Sequence, residues 1–216
     1  MYSSSENTTC IQIFSKAPVE GYCKTRLIPY LGKKETVQLH MDMVQKTITT
    51  AKKINNADVQ LWCKPSKQHV FFQKMAKQNA LTLHDQDGES LGFIMNNAAY
   101  YAADKYTNII QIGTDCPYID TDYINSSIAK LSDETKVVIG PANDGGYVLL
   151  AKNQYYTEMY DDINWGTSNV LQQLEANLQN LNIKYSKLES LNDIDTFDDF
   201  QKWEKGCYAI PASVKS

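Results

Sequence analysis

The chain has 216 residues, of which 43% are hydrophobic and 21% are charged, and its formal net charge is −4. This size and hydrophobic content suit one large α/β domain with a substantial core rather than a disordered chain. The acidic balance argues against a nucleic-acid partner, because such proteins usually carry a basic excess. No apolar run approaches the roughly 18 residues of a membrane span, and the N-terminus does not resemble a secretory signal.

The cysteines form no closely spaced pair of the kind that binds zinc. They are odd in number and scattered along the chain: Cys10, Cys23, Cys63, Cys116 and Cys207. This usage is typical of a reduced protein, so we expect a cytoplasmic location. Because no repeat, low-complexity tract or linker divides the sequence, we expect a single domain over residues 10–205, between flexible tails at residues 1–9 and 206–216.

Short apolar runs alternate with helical stripes along the chain, and this alternation predicts a mainly parallel sheet with right-handed crossovers. Strands are expected at residues 10–14, 57–63, 81–83, 108–112, 136–140, 148–151 and 184–188. Helices are expected at residues 33–54, 66–79, 91–106, 121–131 and 168–182, and from residue 196. Ser66 is expected to cap the second of these helices, and Thr167 or Ser168 the fifth.

The loop after the first strand is long for a strand-to-helix connection, and loops of that length are often functional. It carries three cations, Lys16, Lys24 and Arg26, and a glycine, Gly21, that would let the loop approach a ligand closely. Arginine can grip a phosphate with two hydrogen bonds, and lysine acts as a point charge. The loop therefore suits a polyphosphate, although a solvated basic loop is the alternative interpretation.

A second candidate segment, Gly113-Thr114-Asp115-Cys116-Pro117, follows the apolar run that ends at Ile112. Ligands of open α/β sheets bind beyond the carboxyl ends of the strands, where Gly113 would leave room for them. A single carboxylate at that edge could hold a divalent cation on a nucleotide, because Mg²⁺ usually takes one or two carboxylates plus phosphate oxygens. The alternative interpretation of Asp115 is an ordinary helix-capping acid.

A third segment, Pro141-Ala142-Asn143-Asp144-Gly145-Gly146-Tyr147, interrupts the alternation and predicts a mixed strand. Asp-Gly between two apolar runs is typical of a tight hairpin turn, but this connection is longer than a two-residue hairpin needs. Two acidic loops follow, one with Trp165 and Thr167 and one with Asp193 and Asp195. Loops that follow parallel strands gather at one edge of a sheet, so we expect these segments to converge.

Taken together, five segments resemble the ordered motifs of one bacterial family. They are Phe14–Leu27 (F-A-K-x-P-x-x-G-x-x-K-T-R-L), Gly113–Pro117 (G-[ST]-D-x-P), Pro141–Tyr147 (P-A-x-D-G-G-Y), Trp165–Val170 (W-[GS]-T-x-x-V) and Asp193–Phe200 (D-[IV]-D-T-x-x-D-[LF]). The family is a GT-A-like transferase family of the nucleotide-diphospho-sugar transferase superfamily, of the radical-SAM/selenodomain-associated, arsenosugar-biosynthesis glycosyltransferase type. The resemblance implies a three-layer, Rossmann-like α/β fold with a mainly parallel mixed sheet.

The resemblance also implies roles for the candidate residues. Asp115 and Asp195, with Asp193 as the rival of Asp195, would bind Mg²⁺ or Mn²⁺. The phosphates of the donor would bind to the loops after the first and fourth strands, in contact with Lys16, Gly21, Lys24, Arg26 and Gly113. Asp144 would act as a base or a further metal ligand, and the acceptor would lie against Gly145, Gly146, Tyr147, Trp165 and Thr167.

The function that follows is a metal-dependent transferase with a nucleotide or nucleotide-sugar donor and a small-molecule acceptor. Glycosyl transfer is placed ahead of nucleotidyl transfer from an NTP, because the first loop holds one glycine and three cations rather than many glycines. A non-catalytic nucleotide-binding module is a third possibility. It is raised by Leu91-Gly92-Phe93-Ile94, which stands where the family has L-G-E-R and so lacks an acid and an arginine.

Overall fold

A mixed sheet of seven strands runs through residues 8–205, the part of the chain that this computed structural model describes. The strands are β1 Thr9–Lys16, β2 Ala57–Lys64, β3 Thr82–Asp85, β4 Asn108–Gly113, β5 Val137–Pro141, β6 Tyr147–Lys152 and β7 Tyr185–Lys187. Their order across the sheet is β3-β2-β1-β4-β6-β5-β7. β6 runs antiparallel to both of its neighbours, while the remaining pairs are parallel.

Helices cover both faces of the sheet and complete a three-layer α/β fold. They are α1 Ile28–Leu31, α2 Lys33–Ala51, α3 Val70–Asn79, α4 Leu91–Ala103, α5 Thr121–Lys130, α6 Val170–Asn180 and α7 Phe197–Glu204, with short 3₁₀ turns at Thr25–Leu27 and Glu158–Tyr160. One core cluster joins α2, α3 and α5 to the sheet, and the clusters on α4 and α6 form the opposite layer. The predicted fold class, a mainly parallel mixed sheet between helical layers, is therefore confirmed.

The ends of several elements differ from the predicted ones. Thr9 already belongs to β1, so the strand begins inside the segment expected to be a tail; residues 1–7 and 206–216 lie outside the described residues. α3 begins at Val70, because Nδ1 of His69 accepts the amide proton of Phe71, whereas Ser66 caps only the preceding turn. Neither Thr167 nor Ser168 caps α6, which begins at Val170.

Three glutamines form a buried row across the middle of the sheet, on the face that α4 covers. Gln12 donates to the side chain of Gln60 at 3.0 Å, and Gln111 donates to the side chain of Gln12 at 3.0 Å. The same two amides also donate to carbonyls of α4, those of Ala98 and Met95. Because a buried polar group must be paired, these bonds fix the position of α4 on the strands. No helix in residues 8–205 has the length and apolarity needed to cross a membrane.

Candidate active site

A cleft of about 660 Å³ opens at the edge of the sheet where β1 and β4 end and β6 begins. The predicted convergence of the loops is observed, since every one of the candidate segments contributes to this cleft. The predicted site residues that line it are Lys16, Lys24, Arg26, Gly113, Asp115, Asp144, Gly146, Tyr147, Trp165, Thr167, Asp193 and Asp195. Gly21 and Gly145, also predicted, are absent from the lining of this cleft.

Lys24 links two carboxylates that come from different loops. Its Nζ lies 2.7 Å from Oδ1 of Asp115, which follows β4, and 3.6 Å from Oδ1 of Asp195, which precedes α7. Nη1 of Arg26 lies 3.2 Å from Oδ2 of Asp195, on the open side of the cleft. The cationic loop and the two acidic loops therefore meet at a single charged cluster.

The backbone holds these loops in register. Lys24 adopts the left-handed conformation, with φ 48° and ψ 41°, immediately before the 3₁₀ turn whose last residue, Leu27, is fully buried. The amide of Ile194 donates to the carbonyl of Asp115 at 2.9 Å, and Nζ of Lys24 donates to the carbonyl of Ile194. A non-glycine residue rarely adopts positive φ without support from its surroundings, and here the buried turn and these bonds supply it.

The pKa values of the acids diverge within this cluster. Partial removal of Asp115 from bulk water inside the cleft would by itself raise its pKa, but the charge and hydrogen bond of Lys24, with smaller contributions from His40 and Lys16, bring the pKa below its ordinary value. Burial, reinforced by Asp144 and Asp195, raises the pKa of Asp193 to about 6. Asp115 is therefore held as a carboxylate, whereas the carboxyl of Asp193 keeps its proton to a higher pH than usual.

Asp144 lies in the turn that joins β5 to β6. Its Oδ1 accepts the amide proton of Gly146 at 2.9 Å, and the amide of Ala142 donates to the carbonyl of Gly146 at 3.0 Å. The turn interpretation of this segment is thus correct, and the same turn also lines the cleft. Gly145 has φ +93°, and a Cβ on it would lie 2.1 Å from the carbonyl oxygen of Ser168, so Gly145 lets the turn pack against the segment that leads to α6.

The other end of the cleft is apolar and aromatic. The rings of Tyr147 and Trp165 meet edge to face with centroids 6.4 Å apart, and the hydroxyl of Tyr147 lies 3.4 Å from Sδ of Met95. The indole of Trp165 packs directly on the backbone of Gly92, where a Cβ would approach it to 2.9 Å. The cleft therefore has a charged end and an aromatic end.

The two positions that depart from the family pattern do not line this cleft. Phe93 is 54% exposed to solvent, and Ile94 is buried in the core. The residues of α4 that reach the cleft are Leu91 and Met95, one helical turn apart. The acid and the arginine of the family pattern thus correspond to positions whose present side chains do not line the cleft.

Several residues of the cleft were not identified from the sequence. They are Tyr22, His40, Gln86, Leu91, Met95 and Gln111, among others. His40 is buried, and its Nε2 makes a 2.9 Å hydrogen bond to the carbonyl of Lys16. The signal that could have found Gln111 is its place in the centre of an otherwise apolar strand, because a buried amide requires partners.

The residues that are present can hold a divalent cation only in part. One carboxylate oxygen of Asp115 and one of Asp195 both lie close to Nζ of Lys24. In residues 8–205 no group of three or more His, Cys, Asp or Glu side chains is arranged to hold a metal ion. Two carboxylates match the share that a protein usually gives to Mg²⁺, with phosphate oxygens and water completing the shell. The site thus fits a cation that arrives with a phosphate-bearing ligand.

Comparison with known proteins adds a family and a fold. The model of one family, DUF2064, described as an uncharacterized protein conserved in bacteria, matches residues 47–167. No curated protein matches the chain.

Solved structures show the same architecture. The chain is similar to a crystal structure from Desulfovibrio desulfuricans G20, described provisionally as a nucleotide-diphospho-sugar transferase, with 25% identity, a TM-score of 0.85, and coverage of 93% of this chain and 87% of that one. A cytidylyltransferase from Leptospira borgpetersenii serovar Hardjo-bovis has 12% identity, a TM-score of 0.62, and coverage of 94% and 88%. A 4-diphosphocytidyl-2C-methyl-D-erythritol synthase from Anaerococcus prevotii DSM 20548 has 10% identity, a TM-score of 0.60, and coverage of 93% and 96%.

Proposed function

Because this chain belongs to the DUF2064 family and has the fold of nucleotide-diphospho-sugar transferases, we propose that it is a metal-dependent transferase with a nucleotide-activated donor. The observation that carries this proposal is the charged end of the cleft. There the cations of one loop face the carboxylates of two others at the carboxyl edge of β1 and β4, the edge at which open α/β sheets bind ligands.

The transfer needs alignment of two substrates and neutralisation of the donor's diphosphate more than covalent participation by the protein. Lys16, Lys24 and Arg26 supply positive charge for the phosphates, and Gly113 leaves space beside them. Asp115 and Asp195 would hold Mg²⁺ or Mn²⁺, which would neutralise the charge that develops on the leaving phosphate. Asp193 lies beside this pair as the alternative ligand.

The acceptor is proposed to bind between the turn of Asp144 and the aromatic end of the cleft. Asp144 is exposed there and lies close enough to raise the pKa of Asp193. It is the proposed base for an acceptor hydroxyl. Tyr147 and Trp165 offer ring faces and edges on which a small acceptor can pack, and Thr167 adds a hydroxyl at the rim.

Glycosyl transfer to a small molecule is the first form of the proposal. In the loop from Lys16 to Arg26, the residues that line the cleft are the three cations with Tyr22, Cys23 and Thr25, and no glycine of this loop lines it. A loop of this kind grips phosphate through side chains rather than through a glycine-rich backbone. The finer resemblance, to glycosyltransferases associated with radical-SAM enzymes and arsenosugar biosynthesis, is the guide for choosing acceptors.

Free, buried cysteines among the described residues support a reducing location such as the cytoplasm.

Nucleotidyl transfer from an NTP is the second form, and the similarity to two cytidylyltransferase-type folds favours it. The two forms differ in their products, since only nucleotidyl transfer releases pyrophosphate. Incubation with each NTP and a panel of sugar phosphates, followed by a pyrophosphate assay, separates them.

The proposal is tested by the melting temperature of the protein with a panel of NTPs and nucleotide sugars, with and without Mn²⁺. We expect a rise that requires both the nucleotide and the metal, because a ligand that binds only the folded state stabilises it. Asp115→Asn should lose the metal-dependent part of the rise. Asp133→Asn, which removes an equal charge from a fully exposed side chain, should keep it. If no nucleotide raises the melting temperature, the proposal is wrong.

A further inference from the structure

The ammonium of Lys24 takes the position of a cation between two carboxylates. It lies 2.7 Å from Oδ1 of Asp115 and 3.6 Å from Oδ1 of Asp195. The side chain of Lys24 is only 3% exposed, whereas the side chains of Asp115 and Asp195 are 54% and 44% exposed. The two acids thus face the cleft while the lysine that joins them lies beneath its surface.

The surrounding backbone fixes Lys24 in this place. Its Nζ donates to the carbonyl of Ile194, a fully buried residue whose amide donates to the carbonyl of Asp115. The left-handed backbone conformation of Lys24 turns the loop sharply just before the 3₁₀ turn at Thr25–Leu27. A flexible surface lysine would not be expected to combine an unusual backbone conformation, near-complete burial and three oxygen partners.

This arrangement opposes entry of a metal ion into the ligand-free protein. A divalent cation that coordinates both Asp115 and Asp195 must approach the point that the ammonium of Lys24 occupies, and the two cations repel each other at that distance. The ammonium can leave only toward other anionic oxygens, because a buried charge without a partner is strongly unfavourable. The phosphates of a donor are such oxygens, and they bind on the same side of the cleft in the proposed function.

We propose that Lys24 is a built-in counter-ion that blocks the metal position in the ligand-free protein. A divalent cation then binds together with a phosphate-bearing donor, and the ammonium of Lys24 moves to the phosphates of that donor. This inference rests on the proposed function and adds an order of binding to it. Binding of the metal and binding of the donor are then positively coupled, and each raises the affinity for the other by the same factor.

The first test measures Mn²⁺ binding to the nucleotide-free protein by electron paramagnetic resonance of the free ion. Wild-type protein should bind weakly, and Lys24→Met should bind at least about ten-fold more tightly, because the competing ammonium is gone. Lys187→Met, which removes the same charge from an ion pair whose residues do not line the cleft, should behave like wild type. Adding Asp115→Asn to Lys24→Met should abolish the gain. Equal affinity in Lys24→Met and wild type would overturn the proposal.

A second test needs no variant, in case Lys24→Met does not fold. Equilibrium dialysis of wild-type protein against Mn²⁺, with and without inorganic pyrophosphate at equal concentration on both sides, measures the protein-bound metal. We expect at least about ten-fold tighter binding with pyrophosphate, and equal binding with and without it contradicts the coupling. The proposed function has its own test and is wrong if no nucleotide changes the melting temperature. The comparison of Mn²⁺ binding by Lys24→Met and by wild type does not depend on the result of that test.

Discussion

Nζ of Lys152 donates a hydrogen bond to Oε1 of Gln111, 3.1 Å away, in a part of the sheet where both side chains are closed to solvent. The hydroxyl of Tyr160 joins both groups, as a partner of the ammonium and as a donor to the same amide oxygen at 2.8 Å. These partners of the lysine are an amide and a phenol rather than a carboxylate. Burial consequently lowers the pKa of Lys152 to about 7.

The first prediction concerns stability against pH. In the unfolded chain Lys152 has a pKa near 10.5, so above pH 7 the unfolded state binds more protons than the folded state, and this group makes stability rise with pH. The slope is at most about 1.4 kcal/mol per pH unit. Lys152→Met should therefore lose this rise relative to wild type between pH 7 and pH 9, as measured by urea unfolding.

A matched control for this prediction is Lys187→Met, an exposed lysine whose pKa is raised rather than lowered by Glu175. It should keep the wild-type rise in stability over the same range. Buried thiols such as Cys10, whose pKa burial raises to about 12, affect wild type and variants alike and cancel in the difference. If the stability of Lys152→Met rises with pH as steeply as that of wild type, the prediction that Lys152 is neutral in the folded protein above pH 7 is wrong.

The second prediction has the opposite sign and concerns Asp193. Its pKa is about 6 in the folded protein, against an ordinary value of 3.8 that applies to the unfolded chain. Between these values the folded state binds more protons, so the stability from this group falls as pH rises. Asp193→Asn should raise the free energy of unfolding at pH 7, by at most about 3 kcal/mol and by less once solvent screening of this partly exposed carboxyl is included, and should leave it nearly unchanged at pH 4. Asp133→Asn serves as the exposed control. Lower stability of Asp193→Asn at pH 7 would show that the carboxylate is favourably paired.

The third prediction compares two glycines with the same kind of backbone conformation. Gly145 and Gly166 have φ +93° and +81°, but a Cβ would meet the carbonyl oxygen of Ser168 at 2.1 Å only in the first case. Gly166→Ala should cost roughly 1 kcal/mol of stability from the conformation alone. Gly145→Ala should cost clearly more and should weaken ligand binding, because the turn of Asp144 must move away from Ser168. Equal melting temperatures of the two variants would contradict this packing.

The fourth prediction tests the aromatic end of the cleft. A Cβ at Gly92 would lie 2.9 Å from the indole of Trp165, so Gly92→Ala should displace that ring and change the fluorescence of the protein. The change should disappear when Trp165→Phe is added, because the other tryptophans lie outside the cleft lining. A fluorescence change that survives in the double variant would place its origin elsewhere.

Much of the site could be predicted because its residues belong to segments that follow strands. The apolar runs at Ile11 and Ile110 predict buried parallel strands, and the loops behind such strands must share one edge of the sheet. The sequence therefore predicts that Asp115 and Lys24 lie near each other. The direct bond between them was not expected, since two charged side chains at one edge can face solvent, a ligand or each other.

Sequence patterns did not decide between two residues that could cap the same helix, or between two roles for the same segment. Ser66 and His69 can both cap a helix, and the choice of His69 shortened α3 by a turn relative to the predicted helix. The Asp144 segment was interpreted as either a turn or part of the site, and in the structure it is a turn that lines the cleft. His40 gave no sequence signal beyond that of a polar residue on the largely apolar, buried face of α2.

The sequence by itself determined the elements, the mainly parallel class of the sheet and the edge at which charged loops gather, because strands that alternate with helices return in the same direction. Only the tertiary structure decided that β6 enters antiparallel between β4 and β5 and that Lys24 lies between Asp115 and Asp195. Strand pairing and ion pairing join residues that are distant along the chain. Their geometry depends on which partners the packed core leaves within reach, and no local pattern encodes it.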